Sequence, residues 1–239
     1  VAEQIEDDGS LEEQRIFEIE CELEGGRFTI RVPASKFAAM SWPTAMLGAR
    51  AIVHPGQADK ARVAIQSLSR NIRQMTVYTH TGFRQIDGVW SYLHSGGAIT
   101  PTGNRTDVSV RLPESLRFFF LPEPVEEKRG EAFNNALALM RAFPRTVTVP
   151  TIGAAFASIL GNIDYSVYIT GQSGTRKSEL TALIQSFFGA GYSRLSLPAS
   201  YNDSALAILL KAFKSKDAVM VVDDFAPNGQ KHHDDKLHT

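Results

Sequence analysis

Gly171-Gln172-Ser173-Gly174-Thr175-Arg176-Lys177-Ser178 is the stretch of this chain whose residue types and spacing could most directly do chemistry. It matches the phosphate-binding template G-x-x-x-x-G-K-[ST] at Gly171, Lys177 and Ser178, and it carries Arg176 where the template has its second glycine. The spacing has a physical reason. Backbone N–H groups must turn inward around a polyphosphate, and small residues let the chain come that close. A helix that opens at the phosphates also turns its unpaired N–H groups and its positive dipole end toward the anion. In that arrangement residues 171–178 cradle ATP, Lys177 reaches its β- and γ-phosphates, and Ser178 holds Mg²⁺.

A second group of the right chemistry lies downstream. Ala218-Val219-Met220-Val221-Val222-Asp223-Asp224-Phe225 is an apolar run that ends in carboxylates. A buried parallel strand reads as such a run, and ligands collect at its carboxyl end. Asp223 is placed to support Mg²⁺ as a Walker B aspartate does, and Asp224 stands where a carboxylate would polarise the attacking water. Lys177 and Asp224 are thus the candidate catalytic residues, and Ser178 and Asp223 the candidate metal residues. His80, Arg84, Asp87 and His94 are chemically able, but no second cluster with regular metal-ligand spacing accompanies them. No metal site is expected from them, and His232, His233, Asp234, Asp235 and His238 read as a solvated tail.

The elements that must position these groups follow from periodicity. The β-rich run 167–170 enters the glycine loop, and residues 179–188 form its helix, ended by Gly189. A short strand at 193–197, a helix at 202–213 with Asn202 as N-cap, and the acidic-tipped strand then alternate. That alternation predicts parallel pairing and an α/β fold with the parallel-sheet core of a P-loop NTPase. Only residues 226–239 follow the acidic strand, too few for the remaining strands and sensor residue of such a core, so the domain reads as truncated at its C-terminus.

The chain of 239 residues can bury one large or two ordinary cores. Residues 1–14 are an acidic leader, polar enough to be disordered. Residues 15–121 form a β-rich α+β N-terminal domain: a hairpin around Gly25-Gly26, a helix with Ala61, Ile65 and Leu68 on one side, and a second hairpin around Asp87-Gly88. Further strands are expected at 47–53, 75–78, 108–112 and 118–121. Residues 122–130 form a linker, and residues 131–239 hold two bracing helices and the partial nucleotide domain, with prolines 144 and 150 bracketing a short segment. Residues 1–24 hold ten acidic residues and one basic one, which leaves 24 basic and 16 acidic residues, or +8, for the rest of the chain. Such a body permits contact with DNA. The lone Cys21 excludes an internal disulfide, the acidic start is no secretory signal, and no apolar stretch is long enough for a bilayer-crossing helix. A cytoplasmic protein without a membrane partner is expected.

The strings Val77-Tyr78-Thr79-His80-Thr81-Gly82-Phe83-Arg84 and Gly88-Val89-Trp90-Ser91-Tyr92-Leu93-His94-Ser95-Gly96-Gly97 resemble the signature of the bacterial family called domain of unknown function 927. Residues 47–66, 171–189 and Val222-Asp223-Asp224-Phe225-Ala226-Pro227 are similar to other parts of the same proteins. The resemblance implies a helicase-like P-loop ATPase of phages, plasmids and integrative elements. Some relatives look like ring-forming AAA+ replicative helicases, which implies DNA as partner and a homo-oligomeric ring for the full-length protein. Family members carry glycine where this chain has Arg176, which bears on ATP affinity. Two functions follow. One is an ATP-hydrolysing module of a helicase-like enzyme, weak or inactive as this chain alone. The other is a nucleotide-dependent binding or scaffold module that does not hydrolyse, whose N-terminal domain recognises a partner.

Overall fold

The computed structural model describes residues 1–10, 12–23, 25–161, 163, 165–172 and 174–224. The chain divides into two compact units, Val1–Tyr78 and Thr79–Thr239.

The first unit is a mixed sheet with helices packed on it. Its strands are β1 (Ala2–Asp7), β2 (Gln14–Leu23), β3 (Gly26–Pro33) and β4 (Gln74–Tyr78), and its helices α1 (Ala34–Phe37), α2 (Trp42–Leu47) and α3 (Ala58–Leu68). The strands lie in the order β3-β2-β1-β4. β2 and β3 form the expected hairpin, with Leu23 opposite Gly26 and Ile19 opposite Ile30. Residues 1–14, expected to be disordered, instead supply β1, which pairs antiparallel with β2 and parallel with β4. Backbone ladders on both edges fix it, and its carboxylates meet cations: Glu3 pairs with Arg15 and Glu6 with Arg31, both at 2.7 Å. Ile19, Val32, Phe37, Met40 and Trp42 make the core, with Ala58, Ala61, Ile65 and Cys21 packed against it. Residues 47–53, expected as a strand, are not one: Leu47 ends α2, which carries Pro43 in its first turn, and irregular chain follows.

The second unit begins with an antiparallel meander: β5 (Gly82–Ile86), β6 (Val89–His94), β7 (Gly97–Thr100) and β8 (Gly103–Arg105). Asp87 and Gly88 turn the first hairpin with φ of 52° and 80°, the two positive values of a type I′ turn. The short β9 (Ser109–Val110) follows. Residues 118–121 are not a strand. They leave a 3₁₀ turn at Glu114–Leu116, and the Phe119 carbonyl accepts from the Ser95 N–H at 2.7 Å. Residues 123–130 of the expected linker are exposed and run into α4 (Arg129–Ala142).

Next comes α5 (Arg145–Leu160), one helix through Pro150 where a break was expected. Pro150 removes a donor from the ladder, and the hydroxyls of Thr148 and Thr151 bond back to the carbonyls of Pro144 and Val147 around it. α6 (Lys177–Gln185), β10 (Ala199–Ser200), α7 (Ala205–Lys214) and β11 (Val222–Asp223) complete the described elements. Leu116, Phe119, Ile152, Ala155, Leu180, Ile184, Phe188 and Tyr192 form the core.

The expected parallel-sheet core of a P-loop NTPase, AAA+-like and truncated, is not what the chain forms. Among the described residues of this unit, parallel pairing consists of β10 with β11, Ala199 opposite Val222 and Ser200 opposite Asp223. Residues 167–170 are not a strand, residues 193–197 form turns, and only the last part of the acidic-tipped run is strand. The helix after β10 starts later than expected, with Ser204 as N-cap accepting from the Ala207 N–H at 3.2 Å; Asn202 does not cap it. The physical reason lies at the edge of residues 219–221. The buried Gln185 side chain bonds the Val219 carbonyl and the Val221 N–H, backbone groups a neighbouring strand would have needed. A run such as 218–222 satisfies the apolar pattern of a central strand without acquiring its neighbours. The fold is mixed α/β: a mixed sheet in the first unit, an antiparallel meander and helices in the second.

Candidate functional site

The glycine loop leads into α6, as its spacing predicts, although no strand precedes it. Gly174 has φ of 83°, a left-handed conformation that suits glycine. Arg176, at the template's second glycine position, sits at φ 61° and ψ 31° as the residue before α6. The loop therefore takes the left-handed turn there despite the side chain. The N-cap residue Arg176 gives α6 no side-chain cap, and the first N–H groups of a helix have no intrahelical acceptor. The Lys177 ammonium folds back over the loop and donates to the carbonyls of Gly171 and Gln172, both at 2.9 Å. The Thr175 hydroxyl donates to the Gln172 carbonyl at 2.8 Å and closes the turn from the other side. Ser173 lies outside the described residues.

The carboxylates are carried by β11 and the residue after it. The Asp223 carbonyl accepts from the Tyr201 N–H at 2.8 Å, which extends the β10–β11 pairing by one bond. Asp224 leaves the strand at φ 62°, exposed, with its Oδ2 at 3.5 Å from the Ser200 hydroxyl. A cleft of about 1490 Å³ is lined by Gly171, Lys177 and Ser178 and by residues 217–224, so the candidate lysine, serine and both aspartates share one cavity. Tyr168 and Tyr201 also line it. Burial first, and then the neighbouring Tyr168 hydroxyl, raises the Tyr201 phenol above its ordinary value. Gln172, Gly174, Thr175 and Arg176 belong to the same loop but do not line the cleft. Phe225, Ala226, Pro227 and the histidine-bearing tail lie outside the described residues.

The root of the acidic run is held by the meander. Thr81 donates its N–H to the Lys214 carbonyl at 2.9 Å and its hydroxyl to the Lys216 carbonyl at 2.8 Å. The Phe83 N–H donates to Asp217 Oδ2 at 2.7 Å, and the Tyr92 hydroxyl to the Asp217 carbonyl at 2.9 Å. Burial, and then the Asp217 charge, pushes the Tyr92 phenol up, so it remains a donor at neutral pH. Gly82 makes this approach possible: a Cβ there would lie 2.6 Å from the Lys216 carbonyl oxygen. Asp217 also lines the cleft.

The sequence singled out neither this grip nor Gln185. Gln185 had a legible signal, a carboxamide among the buried positions Leu180, Ala182 and Ile184 of one helix. The grip had none, because its bonds cross more than a hundred residues and all but the one to the Asp217 carboxylate end on backbone carbonyls. His80 and His94 are buried with backbone partners. His80 Nδ1 lies 2.6 Å from the Thr81 carbonyl, and His94 Nδ1 accepts from the N–H groups of Gly96 and Leu121. Asp87 pairs with Arg105 at 3.2 Å. Among the described residues no group of three or more His, Cys, Asp or Glu side chains could hold a metal ion. None of their helices is long and apolar enough to cross a membrane.

No protein-family profile matches this chain, and no curated protein or solved structure does. The likeness to the domain of unknown function 927 rests on the strings quoted above.

Proposed function

We propose that the cleft of the second unit binds ATP with Mg²⁺ and that the unit is the ATP-hydrolysing module of a helicase-like enzyme. One observation carries this reading: Lys177 and Ser178 at the start of α6 and Asp223 and Asp224 at the end of β11 line the same cavity. The uncapped N–H groups of α6 add a second attraction for an anion. In the free protein the Lys177 ammonium is satisfied by loop carbonyls. A β- or γ-phosphate oxygen replaces them with a charge-assisted partner.

The donor set at the cleft is one hydroxyl and two carboxylates, which fits a hard cation that keeps several waters and takes its other oxygens from phosphates. Ser178 and Asp223 would hold Mg²⁺, which supplies charge neutralisation between the β- and γ-phosphates. Asp224 orients a water toward the γ-phosphorus and receives its proton as the new P–O bond forms. The bond to the β–γ bridging oxygen breaks, and ADP leaves with that electron pair, its charge met by Lys177. DNA of a mobile genetic element as the substrate, and a ring of identical subunits for the full-length protein, follow from the family resemblance and are part of the same proposal.

A second reading is favoured by a specific observation. Arg176 occupies a left-handed position built for glycine, and Asp224 is a short carboxylate held out in a left-handed conformation of its own. Both fit a module that binds nucleotide without turning it over. Titration with a fluorescent ATP analogue tests the shared part: Lys177→Ala should raise Kd by roughly tenfold to hundredfold, the loss of one charge-assisted contact. Equal binding by the two forms would remove the assignment. Phosphate release with and without DNA then separates the readings, since the helicase reading requires DNA-stimulated turnover that Asp224→Asn abolishes.

A further inference from the structure

Gln185 ends α6, and its side chain is fully buried. Its carboxamide bonds twice to one segment of the chain. Nε2 donates to the Val219 carbonyl at 3.0 Å, and Oε1 accepts from the Val221 N–H at 2.8 Å. These backbone groups are two residues apart on the same edge of the chain. A parallel strand running past Met220 would bond the same pair, giving an N–H to the preceding carbonyl and a carbonyl to the following N–H. The side chain thus takes the rung of a ladder and ties a helix to a strand-like edge.

Both ends of this tie lead to the cleft. α6 starts at Lys177, about 12 Å from Gln185 at roughly 1.5 Å per residue. Asp223 lies beyond Val221 by about 7 Å of extended chain. We propose that Gln185 is a positioning residue: it sets where Asp223 and Asp224 stand relative to Lys177 and Ser178, and so sets the affinity of the cleft for Mg²⁺-bound nucleotide. The proposal rests on the ATP and Mg²⁺ reading of the cleft. An apolar side chain of similar size leaves the buried Val221 N–H without its partner and takes the Val219 carbonyl's donor away, and the segment must shift to satisfy them.

The tie itself is tested on the unmodified protein without nucleotide. By NMR, the Gln185 side-chain amide and the Val221 N–H should exchange with solvent far more slowly than the side-chain amide of the exposed Gln172. Fast exchange at both overturns the proposal, whatever the cleft binds. The consequence is tested by titrating a fluorescent ATP analogue with and without Mg²⁺ into the full chain and into Gln185→Leu and Gln185→Glu, the second keeping the acceptor oxygen. Metal-free affinity should be unchanged, and the gain from Mg²⁺ should fall by about tenfold or more, as for other groups that orient metal ligands. Equal losses in both conditions, or no loss in either, overturn it. Absence of Lys177-dependent binding in the unmodified protein is seen before any variant is made, and it removes the cleft reading and this proposal together.

Discussion

Replacing Arg176 by glycine should stabilise the second unit, contrary to the usual effect of adding glycine at a helix boundary. Arg176 is held at φ 61° and ψ 31°. For a residue with a Cβ that conformation costs about 1–2 kcal/mol through the approach of Cβ to the following carbonyl oxygen. Glycine removes this cost but gives the unfolded chain back roughly 0.4–1 kcal/mol of freedom. Taken at the middle of both ranges the difference is a net gain of about 0.8 kcal/mol, and at about 2–4 °C per kcal/mol for a chain of this size the melting temperature rises by roughly 2–3 °C. Arg176→Ala is the control. It removes the charge and keeps the Cβ, so its stability should stay within about 0.5 kcal/mol of the unmodified protein. Thermal and urea unfolding of the three proteins, followed by circular dichroism in one buffer, measures the order. Glycine at or below alanine in stability would refute the strain argument, and with it the claim that this loop takes a glycine turn on an arginine.

Two further outcomes follow from the second unit. His94 Nδ1 accepts two backbone N–H groups, and burial holds its pKa below the ordinary 6.5. The unfolded chain therefore takes up the proton first, so the stability His94 contributes is full above pH 6.5 and is lost as pH falls from there through the lowered value. The stability difference between the unmodified protein and His94→Asn should shrink over that window, and a difference flat from pH 8 to 5 would refute it. Gly189→Ala places a Cβ 1.7 Å from the Phe118 carbonyl oxygen, a backbone atom that cannot rotate away. A loss of about 3 kcal/mol is expected, and an unchanged melt would show that the Phe118 and Gly189 backbones do not meet.

The local features were legible where the cause is local. Asp87-Gly88 predicts its turn because both residues must take positive φ, and the loop-to-helix step at Lys177 follows from Gly171, Gly174 and the apolar spacing of Leu180 and Ile184. Elements that depend on distant partners were not. Residues 2–7 look disordered by charge, yet they form a strand because β2 and β4 bond both edges. Residues 167–170 and 218–221 look like parallel strands by residue type, but a strand exists only by its neighbours, and at 219–221 a glutamine side chain takes that place. Lys177 and Asp223 line one cavity although the sheet expected to bring them together does not form. The connection runs instead through the bonds of Gln185, which no spacing rule encodes.

The meander's hold on residues 214–217 bears on how this protein can be dissected. A piece cut at the exposed stretch 122–130 to isolate the loop and its cleft would lose Thr81, Phe83 and Tyr92, and with them the donors to Lys214, Lys216 and Asp217. Each abandoned acceptor costs about 1–3 kcal/mol if it stays buried, more in sum than such a piece could bear. Starting the piece at Thr79 keeps every one of those donors, so the place of the cut decides whether the acidic run keeps its footing.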